Sequence, residues 1–257
     1  MNQASQALTI DLNCDMGESF GPWQMGNDAG VLPYVTSANI ACGFHAGDPG
    51  IMRQTVAMAI DHGVALGAHP GLPDLQGFGR RAMDIRPDEV YDLVIYQTGA
   101  LAGVAASQGA RLHHVKAHGA LYNMAAANPD IAAAIARAVH DIDSGLILYV
   151  LAGSELVTAG QDAGLTIAQE VFADRTYQDN GLLTPRKQSN AMITEVDEAI
   201  AQVLQMVQEG HVTALSGKQV SVQANTLCLH GDQPGAVNFA KALRHSFDTE
   251  GITVKAV

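Results

Sequence analysis

Four of the ten histidines in this 257-residue chain, His45, His69, His118 and His230, stand at or just past the ends of short apolar runs. Other polar residues share those places. "NCDMGES" carries Asn13, Asp15 and Glu18, and "CGFHAGD" carries His45 and Asp48. "AHPGLPD" carries His69 and Asp74, and "VKAHGALYN" carries Lys116, His118 and Tyr122. "FADRTY" carries Asp174, Arg175 and Tyr177, and "LHGD" carries His230 and Asp232. Histidine titrates near neutral pH, a carboxylate can take a proton from water, and lysine or arginine can grip an anion. The set therefore suits acid–base chemistry on a small polar substrate. Asp15, His45, His69, Lys116 and His118 form the candidate catalytic group. Asn13, Glu18, Tyr122, Asp174, Arg175 and His230 form the candidate substrate-binding group.

Each member taken singly has a plainer reading. A lone histidine at a strand end is commonly a hydrogen-bonded structural residue. Asp48 suits a helix cap, Asp74 and Asp232 suit turns, and Tyr122 and Tyr177 suit pocket walls. His62 and His113 have no positional argument. Cys14 and Cys42 read as small pocket-lining residues. Arg80 and Arg81 in "GFGRR" are either anion contacts or solvated surface charges. The recurrence over six strand ends is what favours a site. A divalent metal is an open alternative to metal-free catalysis, because His, Asp and Glu are its usual ligands. No HxH or HExxH pair is present, and the adjacent His113 and His114 point to opposite faces of a strand. No Walker A and no G-x-G-x-x-G motif follows a strand.

Those residues need a frame that brings strand ends together. Apolar runs at 7–13, 35–41, 64–69, 111–117, 146–152, 165–172 and 226–231 alternate with longer helical patterns, and a last run closes the chain at 252–257. Several are continuous, as in parallel strands covered by helices. Asp48–Pro49 and Asn128–Pro129 read as helix starts, and Gly63 and Gly210 as helix ends. Ser154 reads as a cap, and Thr194 with Asp197 resembles a capping box. About seven strand–helix units predict an α/β fold, an irregular (β/α) barrel of about seven parallel strands, in a single domain over 1–257. A doubly wound open sheet is the alternative. In a parallel barrel all strand C-termini open on one face, so Lys116 and His118 would mark a rim. Lys116 would then need an anionic partner, either Asp15 or Asp174, or a substrate anion.

Composition narrows the function. The chain is 47% hydrophobic and 16% charged, so it can bury a large core. A net charge of −12 argues against nucleic acid as a partner. No apolar run reaches the length of a membrane span. Three cysteines without a CxxC pair, and an N-terminus without a basic, apolar leader pattern, point to the cytoplasm.

The segments "DLNCDMGESFGPW", "NIACGFHAGDP", "GAHPGLPDLQGFGRR", "HVKAHGALYN", "EVFADRTY" and "LCLHGD" together resemble the LamB/YcsF family, in order and over nearly the whole chain. The resemblance implies an irregular (β/α) barrel related to that of sugar deacetylases. It also implies one component of ATP-dependent 5-oxoprolinase, which opens 5-oxo-L-proline to L-glutamate together with subunits B and C. ATP would then be used with those partners. Ala117 stands where the family usually has Pro, and Ser189–Asn190 where it tends to have Pro–Gly. The alternative is a stand-alone metal-dependent amide hydrolase or deacetylase on the same barrel.

Overall fold

The computed structural model describes residues 8–229 and 235–257. In chain order the strands are β1 (Thr9–Met16), β2 (Ser37–Ala41), β3 (Ala65–His69), β4 (His114–Lys116), β5 (Ile147–Leu151), β6 (Thr166–Phe172), β7 (His211–Thr213), β8 (Gln219–Ser221), β9 (Thr226–Leu229) and β10 (Thr253–Val254). The helices are α1 (Asp28–Val31), α2 (Pro49–Asp61), α3 (Pro87–Ser107), α4 (Gly119–Ala127), α5 (Pro129–Ile142), α6 (Glu155–Asp162), α7 (Val196–Glu209) and α8 (Ala236–Thr249). Strands β1 to β6 pair in sequence order, β9 pairs with β6, and β9 pairs with β1 to close a seven-stranded parallel barrel. β10 adds to the start of β1, where Thr9 faces Thr253. No helix among the described residues is long and apolar enough to cross a membrane.

The barrel interior is polar. In β1 the residues Asp11, Asn13 and Asp15 alternate with Leu12, Cys14 and Met16, and period two sends the two sets to opposite faces. The apolar set joins the hydrophobic core beneath the helices. The polar set meets Ser37, Asn39, Lys116, Glu170 and Thr226 in the lumen, and His114 joins through Asn39. Both faces are buried, which is why β2 and β9 lack exposed positions.

Helix starts follow the sequence signals in part. Asp48 accepts hydrogen bonds from the Gly50 and Ile51 amides, and Asn128 accepts from Asp130 and Ile131, each followed by Pro. Gly210 ends α7 with φ +69°. Ser154 precedes α6 without a side-chain cap bond. The Thr194–Asp197 box does not form, because α7 starts later, at Val196 behind Glu195. The β7–β8 hairpin follows α7 and has no apolar run of its own in the sequence reading.

Candidate active site

Lys116 ends β4 and is 4% exposed, deep enough that an unpaired charge there would be costly. Its Nζ lies 3.0 Å from Asp15 Oδ1 on β1 and 2.7 Å from Glu170 Oε1 on β6. It also donates toward Asn13 Oδ1 at 3.1 Å and Cys228 Sγ at 3.1 Å. Burial pulls the lysine pKa down, but Asp15, the Cys228 sulfur and Glu170 outweigh it, and the ammonium form is held. Of the two alternative partners expected, the contacts supply Asp15, and Glu170 is a second carboxylate that was not expected. Glu170 is fully buried and is further held by Tyr122 Oη, which donates to its Oε2 at 2.5 Å, and by Asn13 Nδ2 at 2.9 Å.

Asp15 is the accessible member of this array, at 15% exposure against 4% for Lys116 and 1% for His69. Asn39 Nδ2 donates to its Oδ1 at 2.8 Å, and its Oδ2 lies 3.3 Å from His69 Nε2. His69 ends β3, and its Nδ1 bonds the Lys116 carbonyl oxygen at 2.8 Å. His118 directly precedes α4; its Nδ1 lies 3.0 Å from His69 Nε2, and its Nε2 bonds the Phe78 carbonyl oxygen at 2.8 Å. Burial, followed by His69, lowers the His118 pKa to about 3, so the ring is neutral at ordinary pH. His45, in the loop after β2, stacks on His118 with ring centroids 3.7 Å apart. Burial and then His118 push its pKa well below 6.5.

Glu18, His45, His69 and His118 are all buried, and each offers one donor atom within 4.8 Å of the others. This His/Glu group could bind a metal. The loop after β3 covers it. Asp74 accepts from the Gly77 amide and pairs with Arg81, while Arg80 lies over the Phe78 ring at 4.8 Å. Phe78 has φ +55°, the one non-glycine among the described residues with positive φ, and it presents its carbonyl to His118. Gly79 O accepts the Ala120 amide, so this loop also meets the first turn of α4.

The remaining candidates fall into place unevenly. Tyr122 joins the network through Glu170. Asp174 and Arg175 lie in the loop after β6. The Arg175 guanidinium is buried and donates to the Thr184 and Ala191 carbonyls at 2.6 and 3.3 Å, tying that loop together. Burial lowers its pKa to about 10, which leaves it cationic at neutral pH. His230 lies outside the described residues, as does Asp232. The three cysteines are unpaired and buried; burial pushes Cys42 up to about 12 and the other two well above 9.0, so none is a thiolate nucleophile at neutral pH.

Sequence reading missed Glu170, Asn39 and His114. His114 Nε2 lies 2.7 Å from Asn39 Oδ1, and Asn39 in turn donates to Asn13 and Asp15. Their signal is a polar residue inside an apolar run, as in "LTIAQEVF" for Glu170. It differs from the strand-end signal that marked the others.

The LamB/YcsF family profile matches residues 10–257. A protein of Bordetella pertussis, named as the A subunit of 5-oxoprolinase, is 67% identical over 247 residues, which is 96% of this chain and 98% of that one. The crystal structure of a lactam utilization protein from Thermus thermophilus superposes with a TM-score of 0.92 at 47% identity, over 97% of this chain and 100% of that one. A T48 deacetylase structure, 11% identical with a TM-score of 0.50 over 98% of this chain and 89% of that one, shares the barrel fold.

Proposed function

The chain belongs to the LamB/YcsF family, and on that premise we propose that it is the A subunit of a cytoplasmic 5-oxoprolinase. In this reading it opens 5-oxo-L-proline to L-glutamate at the expense of ATP, together with subunits B and C. The near-full-length identity to the Bordetella pertussis protein carries the reading.

A lactam carbonyl is a poor electrophile. The reaction proposed here transfers the γ-phosphoryl group of ATP to the lactam oxygen. Water then adds to the ring carbon and gives up a proton. The ring C–N bond breaks as the nitrogen is protonated, which leaves an acyl phosphate on the former lactam carbon, and a second water hydrolyses it to the carboxylate and inorganic phosphate. In this reading Asp15 takes the proton from water, supported by its being the most exposed of the Asp15–His69–Lys116 array. Lys116 and Asn39 fix its Oδ1, which leaves Oδ2 beside His69. His69 and His118 are held in one orientation by backbone carbonyls beside Asp15 and, with His45, remain in the proposed catalytic group. Asn13, Glu18, Tyr122, Asp174, Arg175 and His230 remain proposed substrate-binding residues. The chain has no Walker A sequence, so the partners are the proposed source of the nucleotide site.

Reconstitution tests this. The chain, purified subunits B and C, ATP and 5-oxo-L-proline should together give L-glutamate and phosphate in equal amounts, and omission of any component should abolish it. The His/Glu group favours one other reading, a stand-alone metal-dependent amide hydrolase. Glutamate formed by the single chain without ATP, and lost on chelation, would establish that reading instead.

A further inference from the structure

We infer that Glu18, His45, His69 and His118 form a binding site for a single first-row divalent metal ion, with zinc the best match to three imidazole nitrogens and one carboxylate oxygen. A carbonyl oxygen only accepts, so His69 Nδ1 and His118 Nε2 must carry the ring hydrogens that reach Lys116 O and Phe78 O. In the neutral rings this leaves His69 Nε2 and His118 Nδ1 as bare lone pairs facing each other at 3.0 Å. Asp15 Oδ2, 3.3 Å from His69 Nε2, adds a third electron-rich atom. Such a cluster needs a cation at its centre.

A proton on His69 Nε2 would face both His118 Nδ1 and Asp15 Oδ2, but it would do nothing for His45. His45 is fully buried, and neither of its ring nitrogens has a hydrogen-bond partner among the described residues. Both losses are costly in an interior, and a shared proton elsewhere relieves neither. A metal ion relieves the facing lone pairs and takes one His45 nitrogen at once. The backbone holds a metal-like posture too. Ligand histidines commonly donate their second nitrogen to a carbonyl, which sets tautomer and orientation, and His69 and His118 both do so. A Cβ on Gly71 would lie 2.5 Å from His45 Nδ1, and one on Gly79 would lie 2.7 Å from His45 Cβ and 2.8 Å from His118 Cδ2. The chain is thus pressed onto both rings. A bound ion would supply Lewis acidity beside Asp15.

The test uses the untagged full-length chain, stripped with chelator and titrated calorimetrically with zinc, cobalt and manganese chlorides. One ion per chain is expected, with a rise in Tm and visible absorption bands for the cobalt form. His45→Ala should weaken zinc binding at least about 100-fold, beyond the usual effect of losing an outer partner. Glu18→Gln, a gentler change, should also weaken it while circular dichroism stays native. His140→Gln, at an exposed position near the end of α5, should bind as the unmodified chain does. Failure of all three ions to bind stoichiometrically overturns the site, and so does unchanged affinity in both His45→Ala and Glu18→Gln. The readout is binding alone, so it stands or falls apart from the lactam reaction.

Discussion

Lys116 Nζ and Glu170 Oε1 meet at 2.7 Å inside the barrel, from two strands that β5 separates. With Asp15 on the other side, one ammonium group serves two carboxylates in a buried space. Removing it leaves both carboxylates without their cation.

Lys116→Met is therefore expected to destabilise the fold by about 3–5 kcal/mol, the range for breaking a buried ion pair. That corresponds to a Tm drop of roughly 6–20 °C in a chain of this size. The double variant Lys116→Met/Glu170→Gln removes one stranded charge and should recover part of the loss. Thermal unfolding of the two variants side by side checks it; a double variant less stable than the single one would contradict the charge argument.

The strand-end residues were legible because a polar group after an apolar run breaks the pattern, and seven such runs imply a closed parallel sheet. That route led to Asp15, His45, His69, Lys116 and His118, which the structure gathers within one network. Lumen residues one or two turns of the pleat deeper gave no such break. Asn39 sits in "SANIA" and Glu170 in "TIAQEVF", where a buried polar group needs partners on other strands, and no local spacing reveals those. For the same reason the strand-end pattern offers Asp15 or Asp174 as the partner of Lys116, of which the structure supplies Asp15, and does not reveal Glu170 as a second carboxylate. The Thr194 cap failed because a capping box is a local preference that the actual start of α7 at Val196 bypasses.

Asp15→Asn keeps the shape of the side chain and removes its basicity. In the reconstituted complex we expect glutamate formation to fall at least about 100-fold, the lower bound for losing a general base. Coupled assay of glutamate and phosphate measures it. Near-normal turnover in a folded variant would remove Asp15 from the proton-transfer step.

Gly67 on β3 faces the His114 ring so closely that an added Cβ would collide with Nε2. Gly67→Ala should push His114 off Asn39 and cost about 1–3 kcal/mol through overpacking. Denaturant unfolding checks the loss. An unchanged midpoint would show that His114 has room to move.

Asp11 provides a pH test. Burial raises its pKa above 3.8, and hydrogen bonds from Thr226, Thr36 and Ser37 offset this only in part. The folded state thus holds the proton more tightly than the unfolded state, so this group's contribution weakens as pH rises from 3.8 through the folded value. Asp11→Asn lacks that dependence. The stability difference between the unmodified chain and the variant should move in favour of the unmodified chain as pH falls from about 7 to about 4.5. Urea unfolding over that interval measures it, and a flat difference would refute the assignment.

The covering loop has a consequence for time rather than for energy. Gly79 O accepts the Ala120 amide while its neighbour Phe78 holds His118. Lifting this loop to bare the His118 ring must also release the Ala120 N–H to solvent. Exchange of that single amide proton for deuterium therefore acts as a clock on the site, counting how often the histidines are uncovered.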